Sequence, residues 1–283
     1  MSERDQQKIA VPMTLCNGLE TRLLDSGGNK PALILVHGLA NSLEIWQRVY
    51  PGLAEDFRVI AFDLPGFGQA SRPDSAYDGP FFGAQIVSLM DRLEIEAANL
   101  VGYSMGASAI LHFSKAHQHR IKRAVLAAPG GFGRRVHPLM LFPALPLIGK
   151  WLGRPTALNN QTTLRLAIYD ASNVTKELVE TTNAHAAIAG SEMSFHRALI
   201  TGVGLLGARH MFETAELARN FQPKCLVLWG NQDRVFPAEY SKNAVALLPD
   251  ARLKMFEACG HYPQWEQPQA FNQEVRAFLN EKG

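Results

Sequence analysis

Ser104, Asp233 and His261 have the residue types, and the order along the chain, needed for nucleophilic catalysis. Ser104 sits in Gly102-Tyr103-Ser104-Met105-Gly106. A serine hydroxyl attacks poorly until it is held clear of the backbone beside a base. Glycine on both sides permits the sharp strand-to-helix turn that holds it there. His261 follows Gly260 after the last strand pattern and is placed to take the serine proton and return it to a leaving group. Asp233, in Gly230-Asn231-Gln232-Asp233, lies between the two and would fix the imidazole tautomer. The Met105 N–H at the helix start and the Leu39 N–H after His37-Gly38 are the expected oxyanion-hole donors.

Each of these residues has a plainer reading. Ser104 could be a surface serine in an ordinary turn, and Asp233 a helix cap ahead of Pro237. Asp63, at another strand end, is a rival carboxylate, but it precedes the serine. His37 reads as a brace for its loop, because the triad already has its base. His112, His117 and His119 fall on or just after a helix, while His185, His196 and His210 lack metal-ligand spacing.

The elements that must carry these residues follow from periodicity. Met13 to Leu24 alternates around Asn17-Gly18, a hairpin signal. Ala32 to Val36, Phe57 to Phe62, Ala97 to Val101 and Ile121 to Ala128 are short apolar runs, as expected of strands buried on both faces. Helices are predicted over Leu43 to Ala54 (capped by Asn41 or Ser42), Phe81 to Leu93 and Met105 to His117. Between Arg134 and Asn220 no strand candidate occurs, and helical patterns lie near Leu139 to Leu152, Thr163 to Tyr169, Lys176 to Ile188 and Ser194 to Leu206. Alternation then returns with strands Lys224 to Trp229 and Arg252 to Phe256 and helices Ala238 to Leu248 and Pro268 to Leu279. This rhythm predicts a doubly wound, mostly parallel α/β sheet of about eight strands with an N-terminal antiparallel hairpin. Residues 1–133 and 221–283 would form the core and 134–220 an inserted helical cap over the site.

Composition narrows the function classes. Lys and Arg number 28 against 26 acidic residues, a net charge of +2 with no dense basic patch, so nucleic acid is not an expected partner. Cys16, Cys225 and Cys259 are odd in number and widely spaced, which fits reduced thiols. Met1 to Lys8 is polar, unlike a signal peptide, and the longest apolar run, Leu139 to Leu152, is interrupted by Pro143, Pro146, Gly149 and Lys150. A cytoplasmic protein without stable membrane insertion is expected, either monomer or homodimer, with no metal or organic cofactor.

From about Met13 to the C-terminus the chain resembles the α/β-hydrolase fold family. The resemblance rests on His37-Gly38, Asp63-Leu64-Pro65-Gly66-Phe67-Gly68, the Ser104 elbow, the Asp233 loop and Gly260-His261. Within that family, Gly260-His261-Tyr262-Pro263-Gln264-Trp265-Glu266 is similar to the histidine segment of the meta-cleavage-product hydrolases, which cut carbon–carbon bonds in ring-fission diketones. Three departures separate the chain from them. Tyr103 replaces the usual Asn, Leu39 to Ile45 lacks a Gly-rich run, and the cap Arg-Trp pair that grips an acidic substrate falls near Thr182-Asn183. Arg165, Arg197 or Arg209 could supply such a clamp from elsewhere in the cap.

A serine nucleophile, rather than an aspartate, disfavours the dehalogenase and epoxide-hydrolase branches and points to an acyl-enzyme resolved by water. The expectation is a serine carboxylesterase for small to medium uncharged esters. Tyr103, Met140, Phe142, Trp151 and Trp265 would line an apolar pocket. The alternatives are the carbon–carbon hydrolase and a non-catalytic ligand-binding member of the fold.

Overall fold

The computed structural model of the chain describes residues 13–142, 145 and 148–281. The polar stretch Met1 to Lys8 lies outside them, as does part of the run Leu139 to Leu152. Asn17 and Gly18 both take positive φ, 51° and 72°, and join β1 (Met13–Cys16) to antiparallel β2 (Leu19–Asp25). Then come β3 (Ala32–Val36), α1 (Tyr50–Ala54), β4 (Arg58–Phe62), α2 (Gly79–Arg92), β5 (Ala98–Tyr103), α3 (Met105–His117) and β6 (Ile121–Ala127). The block that follows holds α4 (Gly149–Leu152), α5 (Ala157–Ala167), α6 (Lys176–Ala186) and α7 (Ser191–Gly202). It continues with the two-residue strands β7 (Val203–Gly204) and β8 (Gly207–Ala208), then α8 (Met211–Arg219). The chain closes with β9 (Cys225–Gly230), α9 (Tyr240–Leu247), β10 (Ala251–Phe256), α10 (Pro263–Glu266) and α11 (Pro268–Leu279).

The main sheet has eight strands in the order β1-β2-β4-β3-β5-β6-β9-β10, antiparallel at β1-β2-β4 and parallel from β4 onward. It is the α/β-hydrolase fold. The apolar runs are continuous because both faces are covered: Leu33 and Leu35 join one buried layer, Ile34 and Val36 the other. α2, α3, α8 and α9 supply the layer on one side, and α1 and α11 the layer on the other. After β4 the chain crosses back over β3 to form β5, so the strand order reverses there. The carboxyl ends of β3 and β5 then border an open crevice, where Leu39 and Ser104 emerge.

Three expectations about the elements need correction. The helix predicted over Leu43 to Ala54 is a 3-10 turn, Leu43–Trp46, followed by α1. Pro51 has no N–H to continue an α-helical ladder from the preceding turn. Neither Asn41 nor Ser42 caps it; the Leu43 N–H instead reaches Asp63 Oδ1 at 2.9 Å. The block 134–220 does contain strands, but β7 and β8 are too short to show alternation in sequence. α8 and α10 were not foreseen, and α8 places Leu217 and Ala218 in the same buried layer as α3. Among the described residues no helix is long and apolar enough to cross a membrane.

Candidate active site

β5 is buried along its whole length and ends at Ser104, whose φ of 52° and ψ of −114° form a strained corner before α3. Non-glycine residues at positive φ persist where surrounding structure over-determines them, often at functional sites. The surroundings here are glycines. A Cβ on Gly106 would run into the Val36 carbonyl, and one on Gly102 into the backbone of Ala107. The corner therefore needs both glycines, and it seats the start of α3 against the end of β3.

At this corner three loops converge. His261 Nε2 lies 3.1 Å from Ser104 Oγ, and His261 Nδ1 lies 2.7 Å from Asp233 Oδ2. The other Asp233 oxygen, Oδ1, accepts the Val235 and Phe236 N–H groups at 2.8 and 2.9 Å. Each carboxylate oxygen thus has its own donor, and the pairing assigns the proton to Nδ1, leaving Nε2 free to accept from the serine. Gln232 joins the two loops: its N–H donates to the Cys259 carbonyl, and its Oε1 accepts the Cys259 N–H. Phe236 and Tyr103 flank the imidazole with ring centroids at 5.3 and 5.2 Å. Cys259, buried two residues before His261, is kept as a thiol by desolvation.

The rival groups have other partners. Asp63 is buried and bonded to Arg22, Leu43 N–H and Gln69 N–H, while Arg22 also grips Glu44 at 2.6 and 2.8 Å. His37 Nδ1 bonds the Gly38 carbonyl at 2.8 Å, and its Nε2 accepts the Leu64 N–H at 2.9 Å. Burial holds its pKa below the ordinary histidine value, so it braces the loop in neutral form. Met105 is the first residue of α3, so its N–H has no partner inside the helix. No turn or cap hydrogen bond among the described residues takes the Leu39 N–H. Both residues border the same cavity as Ser104, where a developing oxyanion would sit.

That cavity, about 410 Å³, lies between the sheet edge and the helical block. Tyr103, Met140 and Phe142 border it as expected. Trp151 does not: it is 67% exposed on the outer surface. Trp265 does not either. It is buried on the other face of the His261 loop, with Nε1 bonded to the Asn173 carbonyl at 2.8 Å and the Arg48 guanidinium 4.0 Å above its ring. Arg209, one of the three candidate clamps, borders it, and residues the sequence did not single out complete the lining, notably Asn160, Phe195, Leu199 and Phe236, with the cation Arg154. Of these, only Phe236 carried a signal, its place beside Asp233. Arg154 pairs with Glu192, and Arg197 pairs with Asp74. Thr182 borders the cavity, and Asn183 accepts a hydrogen bond from Asn160 at 2.9 Å. Among the described residues no three His, Cys, Asp or Glu side chains are placed to share a metal ion.

The model of the alpha/beta hydrolase fold matches residues 31–268. The chain belongs to the alpha/beta hydrolase fold family. This hydrolase is 30% identical over 261 residues to a 2-hydroxy-6-oxononadienedioate/2-hydroxy-6-oxononatrienedioate hydrolase of Comamonas testosteroni, with 90% of each chain covered. It is 30% identical over 262 residues to a 2-hydroxy-6-oxo-6-phenylhexa-2,4-dienoate hydrolase of Burkholderia cepacia, again with 90% of each covered. Among solved structures, the meta-cleavage product hydrolase CumD of Pseudomonas fluorescens IP01 superposes with a TM-score of 0.80. The two are 28% identical, with 95% of this chain and 97% of that one covered.

These relatives overturn the expectation of a carboxylesterase for uncharged esters, because full-length relatives act on oxo-dienoates, which are acids. The expectation had leaned on a missing cationic clamp at Thr182-Asn183. In the folded chain Arg154 and Arg209 reach the cavity from other parts of the helical block.

Proposed function

We propose that this hydrolase cleaves a carbon–carbon bond in a 2-hydroxy-6-oxo-dienoate, with Ser104, His261 and Asp233 as nucleophile, base and orienting acid. The carrying observation is 30% identity, over nine-tenths of both chains, to hydrolases of such compounds. The chemistry of the site supports it. In a 2-hydroxy-6-oxo-dienoate the electrophile is the C6 carbonyl. Hydrolysis there joins the oxygen of water to C6, and the electron pair of the C5–C6 bond departs with the dienoate fragment. That pair is stabilised only once the 2-hydroxyl proton has moved to C5, because it can then delocalise onto the oxygen at C2. The products are a carboxylic acid and a 2-hydroxy-dienoate, with one water consumed.

The reaction needs a proton carrier beside the electrophile and donors for the oxyanion at C6. His261, 3.1 Å from Ser104 Oγ, supplies the first. The Leu39 and Met105 N–H groups supply the second. Arg209 borders the cavity and, among the described residues, has no ion-pair partner, so it can hold the substrate carboxylate. The reading also keeps the division into a core and a helical cap, with the cavity between them as the substrate chamber.

The test is the loss of dienoate absorbance when purified protein meets 2-hydroxy-6-oxohepta-2,4-dienoate. Wild-type protein is expected to bleach it, and Ser104→Ala to lose about 10³-fold or more in kcat with the fold intact. Flat absorbance with the wild type would end the proposal.

A further inference from the structure

The loop that carries His261 is held by a carboxylate that the proton line does not use. Glu266, at the end of α10, accepts through Oε1 the N–H groups on both sides of the base, Gly260 at 3.0 Å and Tyr262 at 3.2 Å. Its Oε2 accepts the Tyr169 N–H at 2.8 Å, two residues beyond α5. The N–H of His261 itself donates to the carbonyl of Ala167, the last residue of α5, at 2.7 Å. Loop and helix end are so close that a Cβ on Gly260 would strike the Ala167 carbonyl. Ala167, with Leu164 and Thr163, also borders the cavity.

Burial pushes the Glu266 carboxyl above the ordinary glutamate range, and the N–H groups it accepts oppose that shift. A half-buried acid kept at a cost in desolvation, with its oxygens aimed at three backbone donors, fixes geometry. The fixed geometry here is that of a base on a loop, the class of segment that otherwise moves most.

We propose that Glu266 is a positioning residue: it holds the His261 imidazole against Ser104 by fastening its loop to the end of α5. The cavity wall and the base then move as one body. This inference rests on the reading of Ser104 and His261 as nucleophile and base, and not on which bond is cleaved.

The experiment is the kinetics of Ser104 labelling by a fluorophosphonate probe, which needs an activated serine but no particular leaving carbon. Glu266→Ala is expected to lower the maximal labelling rate about 10- to 100-fold, the scale of a misplaced catalytic group, with the half-saturating probe concentration unchanged. Glu266→Gln keeps one oxygen for Gly260 and Tyr262 but sets an amide N–H against that of Tyr169, so its rate falls between. Wild-type maximal rates per folded molecule in both variants, with only a lower Tm, overturn the proposal. So does a loss confined to probe affinity. If the alanine variant does not fold, the glutamine variant decides alone. A wild type that labels but leaves the dienoate untouched removes only the proposed substrate; one that does not label removes the triad reading itself.

Discussion

Along the sheet edge, the loops bearing Asp233 and His261 are tied together by the backbone and carboxamide of Gln232, which bond Cys259, while the Glu266 carboxylate ties the His261 loop to Tyr169. Across the cavity, the described residues between 137 and 156 bond mostly among themselves, through short turns such as Met140 N–H to the His137 carbonyl and Gly153 N–H to the Gly149 carbonyl. Leu139, Phe142, Ile148 and Trp151 there are all more than 40% exposed. The helices further along are better anchored: Arg72 bonds Ser191, Tyr77 bonds Ser194, and α5 meets the His261 loop. One wall is specified by hydrogen bonds at strand ends, the other by packing of a separate helical block. In the proposed reading the first governs what chemistry occurs, and the second which molecule undergoes it.

That contrast predicts that changes at the sheet edge should strike turnover, and changes in the helical block should strike affinity. The largest effect is expected for Asp233→Asn, about 10⁴-fold in kcat, because the amide can present N–H to Nδ1 and select the wrong imidazole tautomer. A loss that appeared in KM instead would break the contrast. For Arg209→Ala the expected loss is in KM for the dienoate, about 10-fold, with kcat nearly unchanged, as for removal of one charge-assisted contact. Steady-state kinetics on both variants would show whether the two walls divide the work in this way.

Smaller is the pH effect of the buried brace. The His37 pKa is depressed in the folded chain, so below its unfolded value of 6.5 the unfolded chain takes up a proton first. Stability should therefore be full above that pH. It should fall with acidity by up to about 1.4 kcal/mol per pH unit until the folded pKa is passed. Urea melts at descending pH, compared with His37→Gln, would reveal it; identical slopes would refute the brace. Trp151→Ser should do least, within about 0.5 kcal/mol in stability and with kcat/KM unchanged, because the ring faces water.

Legibility in the sequence follows the same division. The Ser104 elbow and the His37-Gly38 loop could be read because each joins an apolar run to glycines that only a close backbone approach requires, and the Gly260-His261 loop because a glycine and the histidine follow a strand end. The helix at Leu43 to Ala54 was misjudged because one residue, Pro51, outweighed an amphipathic pattern. Trp265 and Trp151 were misplaced for a different reason: hydrophobicity records that a ring is apolar, not which neighbour covers it. Trp265 lies beneath Arg48 and Trp151 lies in solvent, and neither fate has a local signature. The substrate class was misjudged because the missing pair at Thr182-Asn183 outweighed the other candidate clamps, of which Arg209, 26 residues from Asn183 in sequence, borders the cavity.

By itself the sequence determined the buried strands, the glycine-bound corner at Ser104 and the succession of serine, aspartate and histidine. These are local because they arise from backbone sterics and apolar periodicity within a few residues. Only the tertiary structure decided that Asp63 goes to Arg22 while Asp233 goes to His261, that Glu266 bonds both the His261 loop and Tyr169, and which side chains of the helical block face the cavity. Those outcomes depend on groups brought within about 3 Å across more than twenty residues of chain, a distance at which hydrogen bonds form and that no local pattern encodes.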